Sequence, residues 1–136
     1  MKTLHIYSDG GSRGNPGPAA TGYVIKDAKS GEILVQSGKY LGKTTNNVAE
    51  YNAVLQALTK AMELKPDEII CHLDSELIVR QLNGIYKIKA TELKKIAEQV
   101  KELIFFKPVK FVHILRHKNA HADAIVNKIL DKYATA

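Results

Sequence analysis

Four carboxylates stand where the sequence predicts that strands and helices begin or end. Asp9 lies between a strand-like segment and a Gly-rich stretch, and Asp74 ends a short apolar segment. Glu50 and Asp123 fall in the first turns of predicted helices. A cluster of such groups would repel itself unless divalent cations neutralised it. Two hard cations about 4 Å apart can clamp a phosphodiester and activate a water molecule, so the pattern predicts a metal-dependent hydrolytic centre.

Each carboxylate also has an ordinary structural explanation. Acidic residues favour helix N-termini because of the helix dipole, which accounts for Glu50 and Asp123. Asp9 precedes a glycine and can hydrogen-bond its own turn, and Asp74 can cap the helix that follows it. The combination favours a shared site, because ligands collect at the carboxyl ends of parallel strands and Asp9 and Asp74 would both lie there.

The elements that must position these groups follow the order β-β-β-α-β-α-α-β-α. Apolar alternation predicts strands over residues 3–8, 19–27, 32–41, 68–73 and 109–115. Helical periodicity and capping residues predict helices over residues 46–64, 75–82, 91–106 and 120–133. Residues 28–31 form a hairpin turn, so the first three strands are antiparallel. We therefore expect one α/β domain over residues 1–136, with a mixed five-stranded sheet and helices on both faces.

Composition sets broad limits on the function. The chain has 136 residues, 45% hydrophobic and 25% charged, as in an ordinary globular domain. Its net charge of +6 allows a polyanionic partner without requiring one. Cys71 is the single cysteine, so no internal disulfide can form. No signal-like N-terminus and no apolar run of about 18 residues occurs, so we expect a cytoplasmic protein without a membrane partner.

Four segments closely resemble type 1 ribonuclease H and occur in the order in which that family carries them. The segments are residues 9–18 (DGGSRGNPGP), 44–50 (TTNNVAE), 73–75 (LDS) and 119–123 (NAHAD). Together they span nearly the whole chain. The resemblance implies the ribonuclease H-like fold. It also implies an endonuclease that cuts the RNA strand of RNA–DNA hybrids with two Mg²⁺ or Mn²⁺ ions.

The resemblance also implies roles for individual residues. The four carboxylates become the metal ligands and catalytic groups, namely Asp9, Glu50, Asp74 and Asp123. Contacts to the hybrid fall to Gly10, Gly11, Asn15, Thr45, Asn46 and Asn47. Asn and Thr supply neutral donors to phosphate oxygens, and glycines let the backbone approach the RNA sugar and its 2′-hydroxyl. The same residues could instead serve turn formation and helix capping.

Three features depart from familiar members of that family. Many members carry a basic protrusion after the helix that follows Asp74, whereas only residues 86–90 separate the two helices here. Val48 stands where some members place an arginine. The loop before Asp123 is short, so His117 is the nearest candidate for the mobile proton-shuttling histidine of some members, and Arg116 is an alternative contact for phosphate.

Other functions remain open at this stage. The missing protrusion allows a broader substrate range that includes RNA–RNA duplexes. A non-catalytic module that binds hybrids or double-stranded RNA is a further alternative, although we would expect it to have lost a carboxylate. A zinc site at His113, His117 and His121 is disfavoured because no cysteine is near. The Gly-rich stretch precedes a strand, unlike a dinucleotide-binding loop. We expect the protein to act as a monomer.

Overall fold

The computed structural model describes residues 1–134, and its strands form one mixed sheet. The strands are β1 (Thr3–Ser12), β2 (Gly17–Asp27), β3 (Ile33–Thr44), β4 (Glu68–Leu73) and β5 (Val109–His113). Their order across the sheet is β3-β2-β1-β4-β5. The first three strands pair antiparallel, and β4 lies parallel to both β1 and β5. The predicted α/β fold with an antiparallel first half is therefore confirmed.

Helices cover both faces of this sheet, as predicted. They are α1 (Asn46–Glu63), α2 (Glu76–Leu82), α3 (Thr91–Leu103) and α4 (Ala120–Ala134). Helix α1 packs on β1 and against α3, whereas α4 packs on β1, β2 and β3 from the other side. The small side chains that α1 turns to the core are fully buried, namely Ala49, Ala53, Ala57 and Ala61. Their size lets the helix lie close to the sheet.

Strand β1 is longer than the sequence predicts. We expected it to end near Asp9, at the start of the Gly-rich stretch, but it continues to Ser12. Strand β2 provides the reason, because it runs alongside and pairs Asp9 with Gly22 and Ser12 with Ala19. The cross-strand hydrogen bonds thus outweigh the weak strand propensity of consecutive glycines. Asp9 lies within the sheet rather than in a loop.

Helix α1 also begins differently from the prediction. Thr45, rather than an asparagine, is the N-cap, and its Oγ1 accepts a hydrogen bond from the Val48 N–H at 3.3 Å. Glu50 consequently lies in the second turn rather than the first. The prediction for the next helix is confirmed, because Ser75 Oγ accepts from the Ile78 N–H at 3.3 Å.

Helix α3 and strand β5 are shorter than predicted, whereas α4 has nearly the predicted bounds. Helix α3 stops at Leu103, and the two aromatic residues that we expected at its end lie outside the core: Phe105 is 75% exposed and Phe106 is 92% exposed. Strand β5 ends at His113, and the expected loop at 116–119 is a short 3-10 turn.

Among residues 1–134, no helix combines the length and apolar character needed to cross a membrane.

Candidate active site

The parallel pairing of β1 with β4 brings two of the predicted carboxylates together. Tyr7 pairs with His72 in this register, so Asp9 and Asp74 lie level with each other two residues further on. Side chains alternate along a strand, and both carboxylates therefore point to the same face. Helix α1 supplies Glu50. One carboxylate oxygen from each of Asp9, Glu50 and Asp74 lies within 4.8 Å of the other two.

Asp123 lies on the same cleft but outside this close group of three. It stands in the first turn of α4, where Asn127 Nδ2 donates a hydrogen bond to its Oδ2 at 3.2 Å. The cleft has a volume of about 600 Å³, and all four predicted carboxylates line it. The structure therefore brings three of the four groups within 4.8 Å of one another. The fourth, Asp123, lines the same cleft and interacts directly with Asp9, whose pKa its carboxyl group helps to raise.

The close group makes ionisation costly. Burial raises the pKa of Asp9 to about 8, and the neighbouring negative charge of Asp74 adds to the rise. Burial also raises the pKa of Glu50 to about 7, with a further contribution from Asp74. A hydrogen bond from Ser75 and the positive charge of Arg116 oppose that shift. Burial and the neighbouring negative charge therefore favour the protonated forms of Asp9 and Glu50 when no cation is bound.

The chemistry of the cluster fits a hard divalent cation. All of its potential ligands are carboxylate oxygens, the donor type that Mg²⁺, Ca²⁺ and Mn²⁺ prefer. Glu50 Oε2 is buried and has no hydrogen-bond partner among the described residues. A buried carboxylate oxygen without a partner is unfavourable unless a cation or a water molecule meets it. No other group of three or more potential metal ligands occurs among residues 1–134.

Comparison with known proteins places the chain in a family. The family model described as "Reverse transcriptase-like" matches residues 7–129. Ribonuclease HI of Pasteurella multocida is 31% identical over 146 aligned residues, which cover 100% of this chain and 90% of that relative. The chain belongs to the type 1 ribonuclease H family.

Solved ribonuclease H structures share the whole fold. LC11-RNase H1, solved in complex with an RNA/DNA hybrid, superimposes with a TM-score of 0.89 and 44% sequence identity, over 96% of this chain and 99% of that one. A bifunctional protein of Mycobacterium tuberculosis is 38% identical over 135 residues, or 98% of this chain. The chain spans only 37% of the length of that relative.

The loop that precedes β2 is hydrogen-bonded to the start of α1. Asn46 Oδ1 accepts from the Ser12 N–H at 2.8 Å and from Ser12 Oγ at 3.1 Å. Asn15 Oδ1 accepts from the Asn46 N–H at 3.0 Å. Both side chains thus use their carbonyl oxygens to fix the loop, and their amide NH₂ groups have no acceptor among residues 1–134. Free amide groups of this kind are among the neutral donors that proteins direct to phosphate oxygens.

Four of the six residues predicted to contact the hybrid line the cleft, and two lie outside it. Gly10, Gly11, Asn46 and Asn47 line the cleft. Thr45 and Asn15 lie outside the cleft lining, the first as the cap of α1 and the second in the loop. Gly10 is buried, and a Cβ there would overlap the backbone of Ala49 and Glu50. Its lack of a side chain thus serves the packing of α1 on β1, a role that we had not predicted.

The 3-10 turn carries two predicted functional residues, Arg116 as a phosphate contact and His117 as a proton shuttle, and only one of them lies on the cleft. Arg116 lines the cleft and lowers the pKa of Glu50, whereas His117 is exposed and does not line the cleft. The predicted proton-shuttle role of His117 stays a prediction without geometric support. His121, the other histidine of this segment, hydrogen-bonds Gln36 at 2.8 Å on the exposed surface.

Two polar residues of the site were missed by reasoning from the sequence. Arg13 lines the cleft and is tied to α4 by a hydrogen-bonded ion pair with Asp131 at 2.6 Å. Asn119, at the start of α4, is buried against Asp74. Both partners are distant in sequence, so no local pattern marks either residue. The one available signal was their position inside the segments that resemble ribonuclease H.

Proposed function

We propose that the chain is a metal-dependent endonuclease that hydrolyses the RNA strand of RNA–DNA hybrids. The convergence of Asp9, Glu50 and Asp74 on one point of a cleft carries this assignment. The presence of all four predicted carboxylates argues against a non-catalytic binding module. The substrate class is supported by LC11-RNase H1, which was solved with an RNA/DNA hybrid.

We further propose that two Mg²⁺ or Mn²⁺ ions are held by the four carboxylates of the cleft, namely Asp9, Glu50, Asp74 and Asp123. When bound, such ions activate a water molecule and stabilise the charge on the leaving oxygen. The carboxylates are fixed to different elements, β1, α1, the end of β4 and α4. The fold thus sets their spacing before any ligand arrives, which lowers the cost of organising the site.

The residues around the carboxylates would orient the phosphodiester. Arg116 lines the cleft and would donate charge-assisted hydrogen bonds to a phosphate oxygen. The free amide groups of Asn46 and Asn15, together with Asn47 on the cleft wall, would bind the backbone and base edges of the duplex. The backbone at Gly11 would lie close to the RNA sugar, where the 2′-hydroxyl distinguishes RNA from DNA.

A broader substrate range is a second candidate, and the chain between α2 and α3 favours it. Residues 83–90 form a short irregular connection with no helix of their own. A large basic protrusion would add phosphate contacts at this position. Without it, selection for one duplex form rests on fewer contacts, so RNA–RNA duplexes could also be cut. Whichever substrate range holds, we propose that the protein acts as a monomer.

A cleavage assay tests both candidates together. One labelled RNA strand is paired in turn with DNA and with RNA, and each duplex is incubated with Mg²⁺, Mn²⁺ or EDTA. Asp9→Asn serves as the matched inactive control. Metal-dependent cutting of the hybrid alone supports the strict activity, and cutting of both duplexes supports the broader one. Binding without cutting under either metal would contradict both.

A further inference from the structure

Asn119 is a buried polar residue at the junction between the 3-10 turn and α4. Its side chain is 1% exposed. Its Nδ2 donates one hydrogen bond to the Ser8 carbonyl oxygen at 2.8 Å and another to Asp74 Oδ2 at 3.1 Å. Its Oδ1 is buried without a partner among the described residues. One side chain thus joins β1, the carboxylate that follows β4 and the start of α4.

The two partners fix the orientation of the amide. The Ser8 carbonyl oxygen can only accept hydrogen bonds, so Asn119 must present its NH₂ group on this side, where Asp74 Oδ2 also lies. Both amide hydrogens are then used. The opposite orientation would place Oδ1 against two acceptors. Burial of Oδ1 without a partner is unfavourable. Because the side chain is nevertheless buried, the two donated hydrogen bonds and the packing around the amide must offset this cost.

We propose that Asn119 is a positioning residue that fixes the Asp74 carboxylate for metal binding and holds the start of α4 against the sheet. The inference rests on the proposed metal-dependent function. The bond to Oδ2 restrains the carboxylate of Asp74 against rotation. The bond to Ser8 anchors the segment that carries Arg116, three residues earlier, and Asp123, four residues later. Asn119 therefore links the two sides of the cleft without contacting substrate.

Calorimetric titration of the metal-free protein with Mg²⁺ tests this role apart from catalysis. Groups that orient metal ligands typically contribute 10- to 100-fold in metal affinity. We expect Asn119→Ala to weaken Mg²⁺ binding by about 10-fold or more. Its cleavage defect should shrink as the Mg²⁺ concentration rises. Asn119→Ser, whose hydroxyl can still donate to one of the two acceptors, should show a smaller loss.

Asn83 provides a matched control. Its Nδ2 donates to the Phe111 carbonyl oxygen at 3.2 Å, away from the carboxylates. We expect Asn83→Ala to lower thermal stability and leave Mg²⁺ affinity unchanged. The inference would be overturned if the Asn119 variants fold but bind Mg²⁺ as the wild type does. It would also be overturned if Asn119→Ala and Asn119→Ser both fail to fold at high Mg²⁺. Absence of Mg²⁺ binding by the wild type would overturn the proposed function itself.

Discussion

Asp9 and Glu50 occupy positions where a charged group is disfavoured. Burial raises the pKa of both, and the charge of Asp74 raises them further. A purely structural site would carry neutral or paired groups here, because unpaired buried charge destabilises the folded state. The cluster therefore lowers the stability of the metal-free protein, as expected if it serves the proposed metal binding. A bound cation would reverse the effect by favouring the ionised carboxylates.

Replacement of Asp9 tests this balance at a single residue. We expect Asp9→Asn to reduce hybrid cleavage by about 10²- to 10³-fold, because removal of one group that stabilises transition-state charge costs roughly this much. The amide is nearly isosteric with the carboxylate and removes its charge, so the metal-free variant should be at least as stable as the wild type at pH 8. Cleavage kinetics and thermal unfolding in EDTA measure the two effects. Full activity in the variant would contradict the assignment.

The raised pKa values also predict how stability depends on pH. In EDTA, folded Asp9 and Glu50 hold their protons up to pH values near 8 and 7, whereas the unfolded chain releases them near pH 4. At these two groups the folded state therefore binds more protons across this window, so they make stability fall as pH rises from about 4 to 8. The lowered pKa of His72 opposes this trend below about pH 6.5. Each titrating group contributes a slope of at most about 1.4 kcal/mol per pH unit.

Denaturant unfolding at several pH values, with and without Mg²⁺, measures this slope. Mg²⁺ should flatten the slope because a metal site needs the carboxylates ionised. Asp9→Asn should flatten it without metal. A metal-free wild type whose stability rises over the same pH range would contradict the raised pKa values.

At the scale of elements, the close packing of α1 on β1 places Glu50 beside Asp9. The distance between these two elements depends on Gly10, where any Cβ would overlap the backbone of Ala49 and Glu50. Backbone atoms cannot move aside as a flexible side chain can. The glycine therefore helps to set the position of Glu50 in the carboxylate cluster, although it has no side chain to take part in the chemistry.

Substitution of this glycine should displace the helix. We expect Gly10→Ala to destabilise the protein by about 1–3 kcal/mol, the usual cost of overpacking, and to weaken Mg²⁺ binding by moving Glu50. Gly11→Ala is the control, because a Cβ there would meet Val126 Cγ1 at an ordinary 3.7 Å. Chemical denaturation and metal titration compare the two variants. If both variants lose the same stability and the same Mg²⁺ affinity, the spacing between α1 and β1 is not the cause of the losses.

Elements with strong local signals were predictable from the sequence. Strand β4 has the predicted bounds, and Ser75 caps the next helix as expected. The extension of β1 past Asp9 was not predictable, because it depends on pairing with β2. The role of Asn119 was also hidden, since its partners Ser8 and Asp74 lie 111 and 45 residues away in the chain. Contacts between distant segments leave no periodic pattern.

At the scale of the whole molecule, the proposed function requires that part of the net charge of +6 lies where it can attract a polyanion. The carboxylate cluster itself repels phosphate before metal binds. Compensating charge therefore has to come from the surface around the cleft. Lys87 and Lys89 are exposed on the connection between α2 and α3, where a protrusion would otherwise stand.

These lysines allow a prediction about binding of the duplex. If they bind phosphates of the hybrid, the double variant Lys87→Gln/Lys89→Gln should bind more weakly and depend less on salt. The slope of log K against log salt should fall by about 0.9 for each phosphate that the variant no longer neutralises. Binding is measured with the Asp9→Asn background at several salt concentrations, so that cleavage does not interfere.

The control for this experiment removes the same charge elsewhere. Lys29 and Lys65 are exposed at the opposite end of the sheet, in the turn after β2 and between α1 and β4. Lys29→Gln/Lys65→Gln should reduce affinity slightly through the net charge and leave the salt slope unchanged, because no bound counterions are displaced there. A similar fall in slope for both double variants would mean that net charge alone attracts the duplex. An unchanged slope in the Lys87/Lys89 variant would exclude the connection from the binding surface and leave Arg116 and the asparagines of the cleft as the groups that hold the substrate.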